Sequence, residues 1–185
     1  MTTSLNPDRR PGVSATDPDL SRERVRRFWD PSRQLLRCIR GYQAARNPMA
    51  RRWWVIRYRF WSVVTQAEID LKGDIGGGLM IPHPNGIVIH PDVVIGPNCM
   101  IFQQVTLGAA SKKSGVPRIG GHVDIGAGAK VLGPITIGDH ARIGANAVVT
   151  RDVPAGALAI GIPARIHPAA TPPETPHGTP DGSAV

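Results

Sequence analysis

The chain has 185 residues, enough for one compact domain with short appendages. It contains 21 glycines and 18 prolines but only three phenylalanines and two tyrosines, which disfavours a helical bundle and leaves all-β and repeat architectures open. The formal net charge is +8, and the two cysteines are too few for a disulfide framework or a zinc site. We therefore expect a reduced, cytoplasmic protein, and no apolar run of about 18 residues predicts a membrane-spanning helix.

The N-terminal third divides into two segments. Residues 1–20 lack the apolar core of a signal peptide and are expected to form a disordered leader. Residues 21–65 have helical patterning, in which Pro31 and Pro48 suit first-turn positions. Positions 21–60 hold twelve arginines against one aspartate and one glutamate. Solvated helix faces account for this charge about as readily as the three possible ligands do together, which are nucleic acid, anionic lipid and a polyphosphate.

Five aromatic residues lie close together near the end of the helical segment. They are interpreted as the contact between the last helix and the following domain. Contact of an Arg/Trp helix with a membrane surface is the less favoured alternative, and no nucleic-acid partner is expected. The residues are Trp53, Trp54, Tyr58, Phe60 and Trp61.

A six-residue repeat begins at Ile89. Ten of its eleven positions are aliphatic, and neither the helical period of 3.6 nor simple alternation produces this spacing. It predicts a mainly β protein, a parallel β-helix whose triangular coils each use three hexapeptides. The positions are Ile89, Ile95, Ile101, Leu107, Lys113, Ile119, Ile125, Val131, Ile137, Ile143 and Val149.

The repeat is interrupted once. Upstream it runs through Ile69, Ile75, Ile81 and Ile87, two residues out of phase with Ile89, so the interruption lies within IPHPNGIVI, residues 81–89.

The remaining boundaries follow from composition. Lys113 falls in a Ser-, Lys- and Gly-rich segment, which predicts an extruded loop at residues 108–118. The β-helix domain is assigned to residues 66–164, with this loop inside it. Residues 165–185 are assigned to a cap and a disordered, Pro-rich tail.

Four stretches resemble the hexapeptide-repeat acyltransferases, and among them the serine O-acetyltransferase family. They are AEIDLKGDIGGGLMIPHPNGIVI, VVIGPNCMIFQQVTLG, HVDIGAGAKVLGPITIG and GIPARI. The resemblance implies a left-handed β-helix, a homotrimer with active sites between subunits, and acetyl-CoA as donor without a metal. The implied acceptor is the hydroxyl of L-serine, the reaction of cysteine biosynthesis. A hydroxyl of a sugar or secondary metabolite is the alternative.

A catalytic pair follows from the reaction and the resemblance. Acetyl transfer to a hydroxyl needs a base, and histidine suits that role at neutral pH. His83 lies at the interruption, which should place its ring outside the β-helix. The family has an aspartate that orients this histidine, and Glu68 stands at the matching place, with Asp70 as the alternative carboxylate. The pair predicts direct transfer, and Cys99 is interpreted as buried and structural.

The donor site is predicted along one edge of the β-helix. Ala109, Ala127 and Ala145 are eighteen residues apart and should form a column that admits the pantetheine arm of CoA, where the family places it. Gly108 is expected to bring a backbone N–H near the thioester carbonyl. The candidate ligands of the CoA phosphates are Lys130, Arg142 and Arg165.

Two departures from the family leave the acceptor open. Pro82 stands where serine enzymes carry an aspartate before the catalytic histidine. Gly115-Val116 stands where they carry an Arg-His pair. Two other classes remain as alternatives. His122 and His140, eighteen residues apart, suggest a metal enzyme of the carbonic-anhydrase type, and the Arg-rich helices suggest a scaffold or a nucleic-acid-binding module.

Overall fold

The computed structural model describes residues 13–110 and 115–169. The start of the expected leader, the tip of the expected loop and the expected tail from residue 170 lie outside these residues. Within them the chain forms two α-helices, one short 3₁₀ helix and fourteen short strands. The strands are β1 Glu68–Ile69, β2 Asp74–Ile75, β3 Val88–Ile89, β4 Val94–Ile95, β5 Met100–Ile101, β6 Thr106–Gly108, β7 Arg118–Ile119, β8 Asp124–Ile125, β9 Lys130–Leu132, β10 Thr136–Ile137, β11 Arg142–Ile143, β12 Val148–Val149, β13 Leu158–Ile160 and β14 Arg165–His167.

The helices precede the strands, with α1 at Pro31–Ala44 and α2 at Pro48–Thr65. Each begins with a proline, whose missing N–H costs nothing in the first turn. The Asn47 side chain caps α2 by accepting a first-turn N–H at 2.7 Å. The helices pack closely, because the Trp54 ring fills the space that a Cβ on Gly41 would need. None of the described helices is long and apolar enough to cross a membrane.

The strands stack into three sheets that form the faces of a parallel β-solenoid. Sheet 1 contains β1, β3, β6, β9 and β12, and sheet 2 contains β2, β4, β7 and β10. Sheet 3 contains β5, β8, β11, β13 and β14, of which β14 is antiparallel to β13. All ten aliphatic residues of the six-residue repeat are buried in the interior, each worth about 1.5–3 kcal/mol. The predicted parallel β-helix is confirmed.

Strand pairing locates the interruption of the repeat. Val88 pairs with Thr106, eighteen residues further along. Met80 pairs with Met100, twenty residues further along. The corner between Met80 and Val88 therefore contains two more residues than the corner stacked on it, which confirms the interruption predicted within residues 81–89.

Residues 13–23 lie along the corner between sheets 2 and 3, where the sequence analysis expects disorder up to residue 20. The side chain of Asn98 is fully buried there and accepts the Asp19 N–H at 2.8 Å. Its amide nitrogen donates to the carbonyls of Ser14 and Asp17, at 2.7 and 2.8 Å. This segment is ordered because Asn98 supplies hydrogen bonds to its backbone, and a short 3₁₀ helix at Leu20–Glu23 follows.

Candidate active site

His83 lies in the corner segment that leads from sheet 3 to sheet 1 and carries the two extra residues. We call the stacked corner segments on this side of the solenoid the 3–1 edge. The His83 side chain is exposed, as the sequence predicts, and its ring centroid lies 6.5 Å from that of Phe102 on the next coil. The extra residues thus place an imidazole outside the core, beside the edge.

The imidazole faces a cavity of about 440 Å³ between the solenoid and the helices. Three segments meet here: the start of α1, the end of α2 and the corner that holds His83. A base beside a concave space is what an acyl acceptor requires. The lining residues are Trp29, Asp30, Pro31, Ser32, Val64, Thr65, Pro82, His83, Pro84 and Asn85.

Asp30 is a residue of this cavity that the sequence analysis did not select. Its side chain is only 13% exposed and forms an ion pair with Arg33 at 3.2 Å. Although it stands at the N-cap position of α1, the side chain makes no capping hydrogen bond. In the sequence, an aspartate before a proline at the start of a helix indicates a helix cap and does not indicate a residue of the site. The carboxylate also accepts the Arg26 N–H at 3.4 Å and the Ser32 hydroxyl at 3.5 Å. A cationic group in the cavity would therefore share this carboxylate with Arg33.

The predicted carboxylate partner of His83 is not hydrogen-bonded to it. Glu68 is exposed on sheet 1, where it pairs in register with Val88, one coil above. Among the hydrogen bonds of the described residues, none joins Glu68 to His83. Asp70 is occupied locally, since its side chain accepts the Lys72 N–H at 2.7 Å. Of the two carboxylates, Glu68 is therefore the one without a local hydrogen bond.

Tyr58 lies beside both carboxylates. Its hydroxyl donates to the Ile69 carbonyl at 2.6 Å. Burial raises the pKa of Tyr58, and the negative charges of Asp70 and Glu68 raise it further. Tyr58 thus stays neutral at physiological pH and anchors α2 to the first coil.

Two of the three predicted donor-site alanines lie on the 3–1 edge. The Ala127 carbonyl accepts the Asn146 N–H at 2.8 Å, so Ala127 and Ala145 are stacked on successive coils. One coil below, the Gln103 carbonyl accepts the Gly128 N–H at 2.8 Å. Because Phe102 precedes Gln103 and contacts His83, the small-residue column ends near the imidazole.

Ala109 does not belong to this column, which corrects the predicted geometry. Gly108 pairs with Leu132, twenty-four residues further along rather than eighteen. The extruded loop contributes the six additional residues. Ala109 therefore follows sheet 1 and lies on the corner that leads to sheet 2, so its spacing of eighteen from Ala127 does not measure one coil.

The remaining donor-site residues surround the edge from both sides. A Cβ built on Gly108 would meet no atom within 4 Å, so its outer side is open. Lys130 lies on sheet 1 and donates to the Gln104 carbonyl at 2.6 Å. Arg142 and Arg165 are exposed on β11 and β14 of sheet 3. Cations thus flank the edge, as a ligand with several phosphates would need.

Cys99 occupies an inward position, as predicted. It has no exposed surface, and its thiol contacts the Gly120 carbonyl at 3.1 Å. Burial raises the pKa of Cys99 to about 11, so little nucleophilic thiolate forms at neutral pH.

The predicted stacking of His122 and His140 is observed. Their Nδ1 atoms are 2.8 Å apart and the rings meet edge to face. In the part of the chain that the structure describes, no group of three or more His, Cys, Asp or Glu residues is arranged to hold a metal ion. The pair lies on the corner between sheets 2 and 3, a different corner from that of His83.

Comparison with known proteins agrees with this architecture. Residues 117–151 match the family model described as bacterial transferase hexapeptide (six repeats). Over these residues the chain is similar to the class of bacterial hexapeptide-repeat transferases, in agreement with its three-sided solenoid.

Within that class the relatives are serine acetyltransferases. The enzyme of Synechococcus elongatus is 45% identical over 106 residues, covering 56% of this chain and 43% of the relative. The chloroplastic serine acetyltransferase 1 of Arabidopsis thaliana is 49% identical over 101 residues, covering 54% and 32%. A serine acetyltransferase solved in complex with CoA superposes with a TM-score of 0.65 at 35% identity, covering 76% of this chain and 58% of that one. The chain thus spans less than half the length of these two curated relatives.

Proposed function

We propose that the protein transfers the acetyl group of acetyl-CoA to a hydroxyl, with L-serine as the first acceptor. The observation that carries this proposal is the His83 ring, which is exposed at a cavity and lies at the end of a small-residue edge flanked by cations. The serine acetyltransferase relatives support it.

The proposed chemistry is direct transfer. The free ring nitrogen of His83 takes the proton of the acceptor hydroxyl as its oxygen attacks the thioester carbonyl. The C–S bond then breaks, and the imidazolium returns the proton to the CoA sulfur. Glu68 is proposed to reach His83 by a rotamer change and stabilise the imidazolium. The Gly108 N–H is proposed to stabilise the oxyanion.

The donor is proposed to lie along the 3–1 edge. Small side chains at Ala127 and Ala145 let the pantetheine arm approach the backbone. The phosphates are assigned to Lys130, Arg142 and Arg165. Ala109 is not assigned to this groove, because it lies on the corner that leads from sheet 1 to sheet 2.

Asp30 supports an acceptor that carries an amino group. Its poorly exposed carboxylate lies in the same cavity as His83 and would pair with the ammonium group of serine. One observation favours the alternative, a sugar or secondary-metabolite hydroxyl: Pro82 adds no second carboxylate beside His83. An acceptor panel distinguishes the two.

The proposed assembly is a homotrimer with active sites between subunits. Ala127 is partly exposed and Ala145 is exposed, and a neighbouring solenoid would close the groove over them. Light scattering should give three times the mass of the chain, and a monomeric mass would contradict this assembly. A reducing, cytoplasmic location is proposed because Cys38 and Cys99 are both free and buried; cell fractionation tests it.

The decisive experiment follows CoA thiol release by the full chain with acetyl-CoA and each acceptor. His83→Ala should lower kcat at least about a hundredfold, the usual value of a general base. The matched control is His90→Ala, on a different corner, whose ring accepts the Asp92 N–H at 3.2 Å and lies 3.8 Å from the Asp92 carboxylate. Unchanged turnover in His83→Ala would refute the mechanism, and no thiol release with any hydroxyl would refute the function.

A further inference from the structure

α2 presents a stripe of apolar side chains on the side that faces away from the protein. The spacing of four, three, four and three residues puts all five members on one side of the helix. We call this set the outer stripe. Its members and exposed fractions are Met49 82%, Trp53 50%, Ile56 68%, Phe60 56% and Val63 77%.

The opposite side of α2 accounts for its packing without the outer stripe. Trp61 and Thr65 are buried, and the Tyr58 hydroxyl donates to the first coil of the solenoid. The stripe extends over fourteen residue steps, about 21 Å. An apolar surface of this length on a helix that is already packed indicates a docking surface.

Two further exposed aromatic residues, Phe28 and Trp29, precede α1. The ring centroids of Phe60 and Trp61 lie 5.0 Å apart, and those of Trp29 and Trp61 lie 5.5 Å apart. Trp29 is 61% exposed and the adjacent Phe28 is 91% exposed. The apolar surface is therefore rich in Trp and Phe, the side chains that prefer the headgroup region of a bilayer.

Charge identifies the occupant. Residues 31–67 contain eight arginines and no aspartate or glutamate. Arg52 and Arg59, both exposed, are seven residues apart and border the same side of the stripe. If two copies of the chain paired through their outer stripes, these arginines would face either arginines of the other copy or its Val64. Arginines that face each other would repel, and Val64 offers no opposite charge. The complementary surface is anionic.

We propose that the outer stripe and its arginines bind the protein to the surface of an anionic lipid bilayer, with α2 lying in the plane of the interface. The apolar side chains enter the headgroup boundary and the arginines contact lipid phosphates. Each arginine near such a surface strengthens binding. This reverses the preference drawn from sequence, which ranked membrane contact below packing between helix and solenoid.

The test is sedimentation of the full chain with phosphatidylcholine vesicles containing about one third phosphatidylglycerol, against pure phosphatidylcholine vesicles. The protein should bind the anionic vesicles, and added salt should weaken binding because it screens the arginines. Replacing Arg52 and Arg59 by glutamine should lower the partition coefficient about thirtyfold, which is about 2 kcal/mol at 1.36 kcal/mol per decade. The matched control removes Arg118, an exposed arginine on sheet 2, and should leave binding unchanged.

A second variant tests the apolar part. Ile56→Asp should abolish vesicle binding and the blue shift of tryptophan fluorescence that accompanies it, while Ile162→Asp, equally exposed on the solenoid, should not. Absence of binding by the unchanged protein, or equal losses in both controls, overturns the proposal. The proposal would also be overturned if light scattering gave a different particle mass for Ile56→Asp than for the unchanged protein. That result would show that the stripe joins copies of this chain.

Discussion

Asp30→Asn is the substitution that most directly tests how the cavity selects its acceptor. The change removes the negative charge and keeps the size and shape of the side chain. The carboxylate is 13% exposed and borders the cavity that His83 faces. An ammonium group bound there would lose a charge-assisted hydrogen bond.

Such a bond is worth about 1.5–3 kcal/mol when one partner is charged. At about 1.4 kcal/mol per decade, KM for L-serine should rise about 10- to 150-fold. KM for acetyl-CoA should stay unchanged, because neither the donor-site alanines of the 3–1 edge nor the cations assigned to the CoA phosphates line this cavity. Initial rates of thiol release at varied serine and fixed acetyl-CoA give KM for serine. Initial rates at varied acetyl-CoA and fixed serine give KM for acetyl-CoA.

The control is Asp92→Asn, whose side chain is 81% exposed and pairs with His90. Because Asp30 also pairs with Arg33, the melting temperature of both variants should be recorded. An unchanged KM for serine in folded Asp30→Asn would refute the assignment. Equal increases of both KM values would indicate a general distortion instead of loss of an ammonium contact.

Three further predictions concern the scaffold. Ile125→Ala removes a fully buried side chain that pairs with β5 and β11 neighbours, and should cost about 2–5 kcal/mol in urea unfolding; a loss below about 1 kcal/mol would contradict the stacked core. The pKa of Cys99 is raised above that of the unfolded thiol, so its contribution to stability is complete below about pH 9 and is lost as pH rises toward 11. The urea concentration at the unfolding midpoint should therefore decrease between these pH values, and Cys99→Ala should make that decrease smaller. A Cβ on Gly121 would overlap the Ala15 carbonyl, so Gly121→Ala should expose residues 13–23 to limited proteolysis; Gly108→Ala, where the space is open, should not.

The architecture was predictable because the six-residue repeat is a local property of the sequence. Each aliphatic position must point inward for its neighbours above and below to bury it, so periodicity alone determines the three-sided solenoid. The two-residue shift between Ile87 and Ile89 likewise predicted the position of the enlarged corner and the exposure of His83. Counting residues was sufficient wherever the coil length stayed constant.

Residue spacing gave a wrong position where the number of residues in a coil changed. Ala109 and Ala127 are separated by eighteen residues, but the extruded loop adds six residues to this coil, so only strand pairing reveals that they lie on different corners. The catalytic roles of His83 and Glu68 stay predictions, because no hydrogen bond among the described residues joins the two side chains and only kinetics tests them.

The sequence by itself determined the repeat, its interruption and the exposed histidine, since all three depend on spacing along the chain. Only the tertiary structure decided which distant residues meet. Asp30 joins the His83 cavity because α1 packs beside the first coil, and residues 13–20 are ordered because Asn98 holds their backbone. The outer stripe became visible for the same reason: α2 buries one side, so its other apolar side remains exposed.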